Sequence, residues 1–316
     1  MDGSGAPPVR ADVAVDGDTI SAVGDLSGAE ATRVIDAEGL VVTPGFVDIH
    51  THYDGQATWD PEVSPSGWHG VTTIVMGNCG VGFAPASAER RDWLIQLMEG
   101  VEDIPGSALE EGMTWNWESF PEYLDELERL PRVMDVAAQI PHGALRAYVM
   151  GERGAANTEA TADDIAEMSK LTEEALVAGA VGFSTTRTLL HRAKDGELAA
   201  GTTAHADELI GIGEALGRAG TGVFEVASDL FDLDGEFAWM TEVSRRSGRP
   251  VSFGCLQNDI QPEQWREYLA RTDEANARGA TIIPQVAGRP ACLLFGWGST
   301  IHPFVTHTAY REIADL

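Results

Sequence analysis

The chain has almost no lysine. Lys170 and Lys194 are the only two among 316 residues, and the rest of its side-chain positive charge is nearly all arginine. Basic residues are few against acidic ones, 21 to 50, giving a formal net charge of −29. A surface of that sign repels nucleic acid and anionic membrane, so neither is expected as a partner. Cysteine is scarce as well. Cys79, Cys255 and Cys292 are odd in number and far apart, which is no disulfide framework. They fit a reducing compartment, where a thiol can serve as a metal ligand. No apolar run approaches the ~20 residues of a membrane span. The start, Met-Asp-Gly-Ser-Gly-Ala-Pro-Pro, lacks the basic and apolar regions of a signal peptide. A cytoplasmic location is the expectation.

What is present is an α/β pattern. Residues 1–43 read as a small β-layer: Ala11 to Val15 and Thr19 to Val23 alternate around a turn at Gly17-Asp18, and a further apolar stretch runs from Val34 to Val42. From 44 to 316 short apolar segments alternate with amphipathic ones, the signature of a parallel sheet flanked by helices. Strands are predicted at 42–49, 71–76, 134–140, 180–184, 222–226, 250–254 and 280–285. Thr161 is placed to N-cap a helix that stops at Gly179, and further helices are predicted near 206–218, 235–247 and from Pro262 to about Gly279. A TIM-like (β/α)8 barrel needs eight strands, and only seven are identifiable. An insertion at about 85–130, rich in tryptophan and acids, is expected to cover the catalytic face.

The chemistry concentrates in two motifs. Pro44-Gly-Phe-Val-Asp-Ile-His50-Thr-His52-Tyr-Asp54 ends the first barrel strand. Side chains at i and i+2 share a face, so His50 and His52 point the same way and can share a metal ion at ~2.0–2.1 Å each for zinc. Gly70-Val-Thr-Thr-Ile-Val-Met-Gly-Asn-Cys79-Gly80 brings a thiol to the same rim on the second strand. Taken alone, Cys79 reads as a small buried residue. Beside two histidines it reads as a thiolate ligand, since a metal depresses the thiol pKa.

These motifs, with His142-Gly-Ala-Leu-Arg146 and Gly179-Ala-Val-Gly-Phe-Ser184, resemble the N-acyl-D-amino-acid deacylases (D-aminoacylases) of the amidohydrolase superfamily. The resemblance implies a zinc-dependent hydrolase of linear amides, acting on N-acyl-D-amino acids through metal-activated water. It also implies a cysteine in the metal-bridging place that many relatives give to a carboxylated lysine. Lysine scarcity agrees: Lys170 falls mid-helix and Lys194 in a polar loop, neither at the end of the fourth strand.

The sequence also departs from the family. The family's histidines at the ends of the fifth and sixth strands are missing, and Glu225 and Cys255 stand in those segments. Either both are substitute ligands, or Glu225 is an ion-paired barrel residue, so one or two zinc ions are both open. The family's catalytic aspartate ends an eighth strand that is not found, and nothing marks Asp54 or Asp229 as its replacement. His142 could touch substrate or be structural, and Arg187 could pair with a substrate carboxylate or with a surface acid. The resemblance further implies a piece of a longer protein, whose structure should show an open seven-stranded barrel. Two other readings are a cyclic-amide hydrolase and a decayed, metal-free barrel.

Overall fold

The computed structural model describes residues 1–257, 261–288, 296–297, 302–305 and 307–314, so Cys292 lies outside the described residues. The chain divides into two compact units, Met1–Phe46 and Val47–Leu316.

In the first unit β1 (Asp12–Asp16) and β2 (Thr19–Gly24) form an antiparallel hairpin. Gly17 takes a left-handed conformation (φ 63°) at the turn. The apolar stretch from Val34 to Val42 forms no strand, unlike the expectation from its composition, and Val34, Ile35 and Leu40 are all more than 70% exposed. A two-stranded hairpin has too little apolar surface to hold another segment against it. Val15, Ile20 and Val23 on the hairpin are themselves exposed.

Among the described residues the main sheet has seven strands hydrogen-bonded in chain order. They are β3 (Phe46–Asp48), β4 (Val71–Met76), β5 (Asp135–Pro141), β6 (Gly182–Arg187), β7 (Val223–Ser228), β8 (Val251–Gly254) and β9 (Ile282–Gln285). Pairing is parallel from β4 through β9. The helices are α1 (Arg91–Glu102), α2 (Gly106–Gly112), α3 (Phe120–Arg129), α4 (His142–Met150), α5 (Glu152–Ala155), α6 (Ala162–Ala178), α7 (Ala206–Ala219), α8 (Leu233–Ser247) and α9 (Gln264–Ala277), with a last short turn at Thr308–Arg311. This is the incomplete TIM-like barrel that the sequence pattern predicts. β3 and β9 end the strand order, and apolar residues at both edges, Val47, Ile49, Ile283 and Val286, are 46–70% exposed.

Local signals explain the helix limits. The Thr161 hydroxyl accepts from the backbone of Asp164, whose carboxylate in turn accepts from Thr161 N, and this reciprocal cap starts α6. Ser119 and Glu122 do the same for α3, in the insertion that sequence reading left undivided. Gly220 and Gly248 take left-handed conformations that end α7 and α8. Between sheet and helices runs an aromatic line: Phe183 lies 4.8 Å from Phe224, and Phe224 lies 5.9 Å from Trp239 on α8. Phe183 and Phe224 are fully buried. Truncating either to alanine would cost about 3–5 kcal/mol.

Candidate metal centre

The site is set by two strand ends and one turn. Beyond β3 the chain stays in register with β4, because Thr51 gives both its N–H (3.0 Å) and its hydroxyl (2.8 Å) to the Val75 carbonyl. Thr51 is thereby buried on one side while His50 and His52 take the other. After β4 the chain turns through Gly77-Asn78-Cys79-Gly80. Gly77 (φ 76°) is required there, since a Cβ would meet the Gln139 carbonyl at 2.1 Å. The turn is pinned from three neighbouring strands. Gln139 on β5 donates to Asn78 Oδ1 (2.7 Å), Ser184 on β6 accepts from Gly80 N (2.9 Å), and Glu225 Oε2 on β7 accepts from Cys79 N (3.0 Å). Register places Ser184 directly beside Glu225. Cys79 itself sits at φ 56°, an uncommon conformation for a side chain with a Cβ, which these bonds hold.

The result joins the three residues singled out in the sequence. His50 Nε2 lies 3.2 Å from Cys79 Sγ, and one ligand atom each from His50, His52 and Cys79 falls within 4.8 Å of the others. Glu225 is buried beside them, its Oε1 3.9 Å from His50 Nδ1. Sequence reading left the direction of Glu225 open and passed over two further residues. Glu102, the last residue of α1, lies 3.3 Å from His52 Nε2. His191 follows β6 and joins Cys79 and Glu102 in a second group of donors within 4.8 Å. Nothing in the sequence marks Glu102, which is one of several acids in the insertion. His191 carried a faint signal in its position just past a barrel strand.

The electrostatics suit a cation. Desolvation, then the neighbouring His52, lowers His50 to about 4 although its ring is 37% exposed, and burial lowers His52 and His191 to about 4. All three imidazoles are neutral and ready to ligate. Burial pushes Glu225 and Asp54 up to about 8, raises Glu102, and drives the Cys79 thiol well above its ordinary value, with the Glu225, Glu102 and Asp54 carboxyls adding to the last. A dication reverses this bias and ionises such groups. Two buried atoms, His52 Nδ1 and Asp54 Oδ2, have no hydrogen-bond partner. Buried polar atoms are rarely left so; Arg91 Nε and Trp239 Nε1 are in the same state, and of the four residues His52 alone belongs to a donor group that a metal could satisfy. The donor set fits zinc.

The other candidates lie elsewhere. Cys255, after β8, is buried and belongs to neither donor group among the described residues. Its N–H donates to the Gln285 carbonyl (2.9 Å), an ordinary strand contact. His142 is fully buried, with Nδ1 2.8 Å from the Thr185 hydroxyl and Nε2 2.9 Å from Glu208, as in its structural alternative. The Arg187 guanidinium is engaged by Glu236 (2.9 Å) and by the Thr202 and Ala204 carbonyls. Asp229 accepts from the Thr188 hydroxyl and from Leu189 N.

The fold is thus a parallel α/β barrel sheet with histidine, cysteine and carboxylate donors where the strands end. A family model described as the amidohydrolase family matches residues 33–300, and the chain belongs to that family. It is 42% identical over 185 residues to a D-aminoacylase of Alcaligenes xylosoxydans xylosoxydans, a match covering 58% of this chain and 35% of that protein. Among solved structures it is similar to a D-aminoacylase with a binuclear metal center (TM-score 0.71, 32% identity, covering 89% of this chain and 55% of that one). It is also similar to N-acyl-D-glutamate deacylase from Bordetella bronchiseptica, complexed with zinc and a phosphonate inhibitor (TM-score 0.71, 26% identity, 92% and 56%). The chain spans about a third of the curated D-aminoacylase and just over half of each solved relative. No helix among the described residues is long and apolar enough to cross a membrane.

Proposed function

We propose that this chain is a zinc-dependent amidohydrolase that removes the acyl group from N-acyl-D-amino acids. The observation that carries the reading is the convergence of His50, His52 and Cys79 at the ends of β3 and β4, with His52 Nδ1 left unpartnered. The similar proteins, a D-aminoacylase and an N-acyl-D-glutamate deacylase complexed with zinc, supply the substrate class.

His50, His52 and Cys79 would hold the ion, with Glu225 beside them. Zinc, when bound, supplies Lewis acidity: it polarises an amide carbonyl and makes water a competent nucleophile near neutral pH. The protein's own part is placement. Glu225 Oε2 fixes the Cys79 backbone, and Thr51 fixes the phase of the two histidines. The buried turn 77–80 keeps bulk water from the thiol, which is 6% exposed. A cyclic-amide hydrolase built around a carboxylated lysine is disfavoured, because Lys170 and Lys194 sit in surface pairs with Glu167 and Glu99. Use of a thiol ligand also favours the cytoplasm.

A hydrolysis screen tests the reading. Zinc-loaded protein is offered N-acyl-D-amino acids, their L enantiomers and cyclic ureides. Cleavage of the D series, lost on chelation and restored by zinc, is the expected result. Preference for the ureides, or turnover indifferent to chelation, would overturn it.

A further inference from the structure

His50 and His52 reach the metal centre from a strand end, but His191 reaches it from a loop. A loop carries a side chain accurately only where its backbone is tied. We propose that Asp229 is a positioning residue for deacylation: it latches the segment after β6 to the end of β7, and so holds His191 at the edge of the space where substrate would meet the metal. The inference rests on the function proposed above.

The ties run without a break from one residue to the other. Asp229 directly follows β7. Its Oδ1 accepts from the Thr188 hydroxyl (2.5 Å) and its Oδ2 from Leu189 N (2.8 Å), so both oxygens are engaged by adjacent residues of the neighbouring loop. The Thr188 hydroxyl in turn accepts from Leu190 N (3.1 Å), and Thr188 N donates to the Thr186 hydroxyl (3.4 Å). That hydroxyl meets His191 Nδ1 at 2.9 Å, which orients the ring. A His191 ring nitrogen then lies within 4.8 Å of Cys79 Sγ and a Glu102 oxygen.

The far end of the same loop is tied to the same strand exit. The Ser228 hydroxyl donates to Glu236 (3.2 Å), Glu236 holds the Arg187 guanidinium (2.9 Å), and Arg187 donates to the Thr202 (3.1 Å) and Ala204 (2.6 Å) carbonyls. The exit itself is strained. Leu230, 2% exposed, sits at φ 53°, which a bulky side chain rarely adopts, and its N–H to the Ser228 hydroxyl (3.0 Å) helps to keep it there. Such backbone persists where its surroundings over-determine it, and it gathers at functional sites. The turn 228–230 thus aims Asp229 at one end of the loop and Ser228 at the network that holds the other.

The test is a cycle of Asp229→Ala, His191→Ala and the double variant in zinc-loaded chain, with Asp229→Asn beside it. Turnover of N-acyl-D-amino acids, zinc content and circular dichroism are read together. A misplacement of ~1 Å at a reacting site can cost about 100-fold, and Asp229→Ala should lose about that in kcat/KM. Its zinc should stay, because the ligands are held by Thr51, Glu225 and the turn 77–80 instead. Asparagine keeps an oxygen for Leu189 N–H and should recover part of the loss. The double variant should be no worse than His191→Ala, since the latch then has nothing to hold. Additive losses, undiminished activity in Asp229→Ala, or a loss that follows zinc content or circular dichroism would overturn the proposal. A second measurement needs no turnover: the His191 ring resonances, assigned by their disappearance in His191→Ala, should move in Asp229→Ala while those of His50 and His52 stay. Unmoved His191 resonances overturn the latch even in an active enzyme. Moved resonances in a wild type that cleaves no N-acyl-D-amino acid keep the latch and overturn the function proposed above.

Discussion

The molecule holds two clusters in which histidine meets carboxylate, one fully buried and one partly open, and they are built on opposite terms. Around His142 no fully buried polar side-chain atom is left unpartnered. The ring bonds Thr185 and Glu208, and Arg146 reaches Glu208 and the carbonyls of Gly154 and Thr158. Around Cys79 the count does not close: His52 Nδ1 and Asp54 Oδ2 are buried and unpartnered, and the Glu225, Glu102 and Asp54 carboxyls all push the thiol up. A matched cluster is an internal strut, stabilising as it stands. An unmatched one is stable only once something binds. Residue type alone does not separate the two cases.

The comparison breaks most sharply at the ligands. Changing His50 and His52 to alanine should abolish tightly bound transition metal and lower deacylase activity at least about 100-fold, since even outer partners of a ligand are worth 10–100-fold. Elemental analysis and turnover check it, and a double variant that keeps its metal would mean that the unmatched cluster is not a metal site. The strut should respond in stability instead. Glu208→Ala leaves Arg146 buried without its partner and should cost about 3–5 kcal/mol in denaturant unfolding, with metal content unchanged in the folded fraction.

The smaller effect is its pH dependence. Burial acts to raise Glu208, but hydrogen bonding and charge from His142, then Arg146, outweigh it and hold the carboxyl down to about 2. A carboxyl depressed in the folded state adds stability that is fully present above its unfolded value, ~4.3, and is lost as pH falls towards the folded one. Wild-type stability should therefore decline from about pH 4 towards pH 2, and Glu208→Gln should flatten that limb. An unchanged limb would remove Glu208 from the strut.

Much of this was legible in the sequence, for reasons that differ by region. The reciprocal cap at Thr161 and the stop at Gly179 are local signals, and α6 runs between them. His50 and His52 are two residues apart on one strand end, so their common direction follows from backbone geometry. Cys79 required the barrel pattern as context. Glu102 and His191 were not legible, because what joins them is the packing of α1 on the segment after β6, and no periodicity encodes a contact of that range. The stretch from Val34 to Val42 failed the other way. Its composition is that of a strand, but burial is decided by partners, and within its own unit it has none.

A site assembled around a carboxylated lysine depends on carbon dioxide for one of its ligands. The chain's two lysines are paired at the surface, so a thiol-ligated site in it would be free of that dependence and would take on another. Oxidation of one sulfur to a sulfenic acid or beyond would remove the ligand that both donor groups share. Mild peroxide should accordingly release metal and activity together, thiol reductant should restore both, and stronger oxidation should make the loss permanent. An enzyme built on such a site would work only where the thiol pool stays reduced, with the state of Cys79 reporting on that pool.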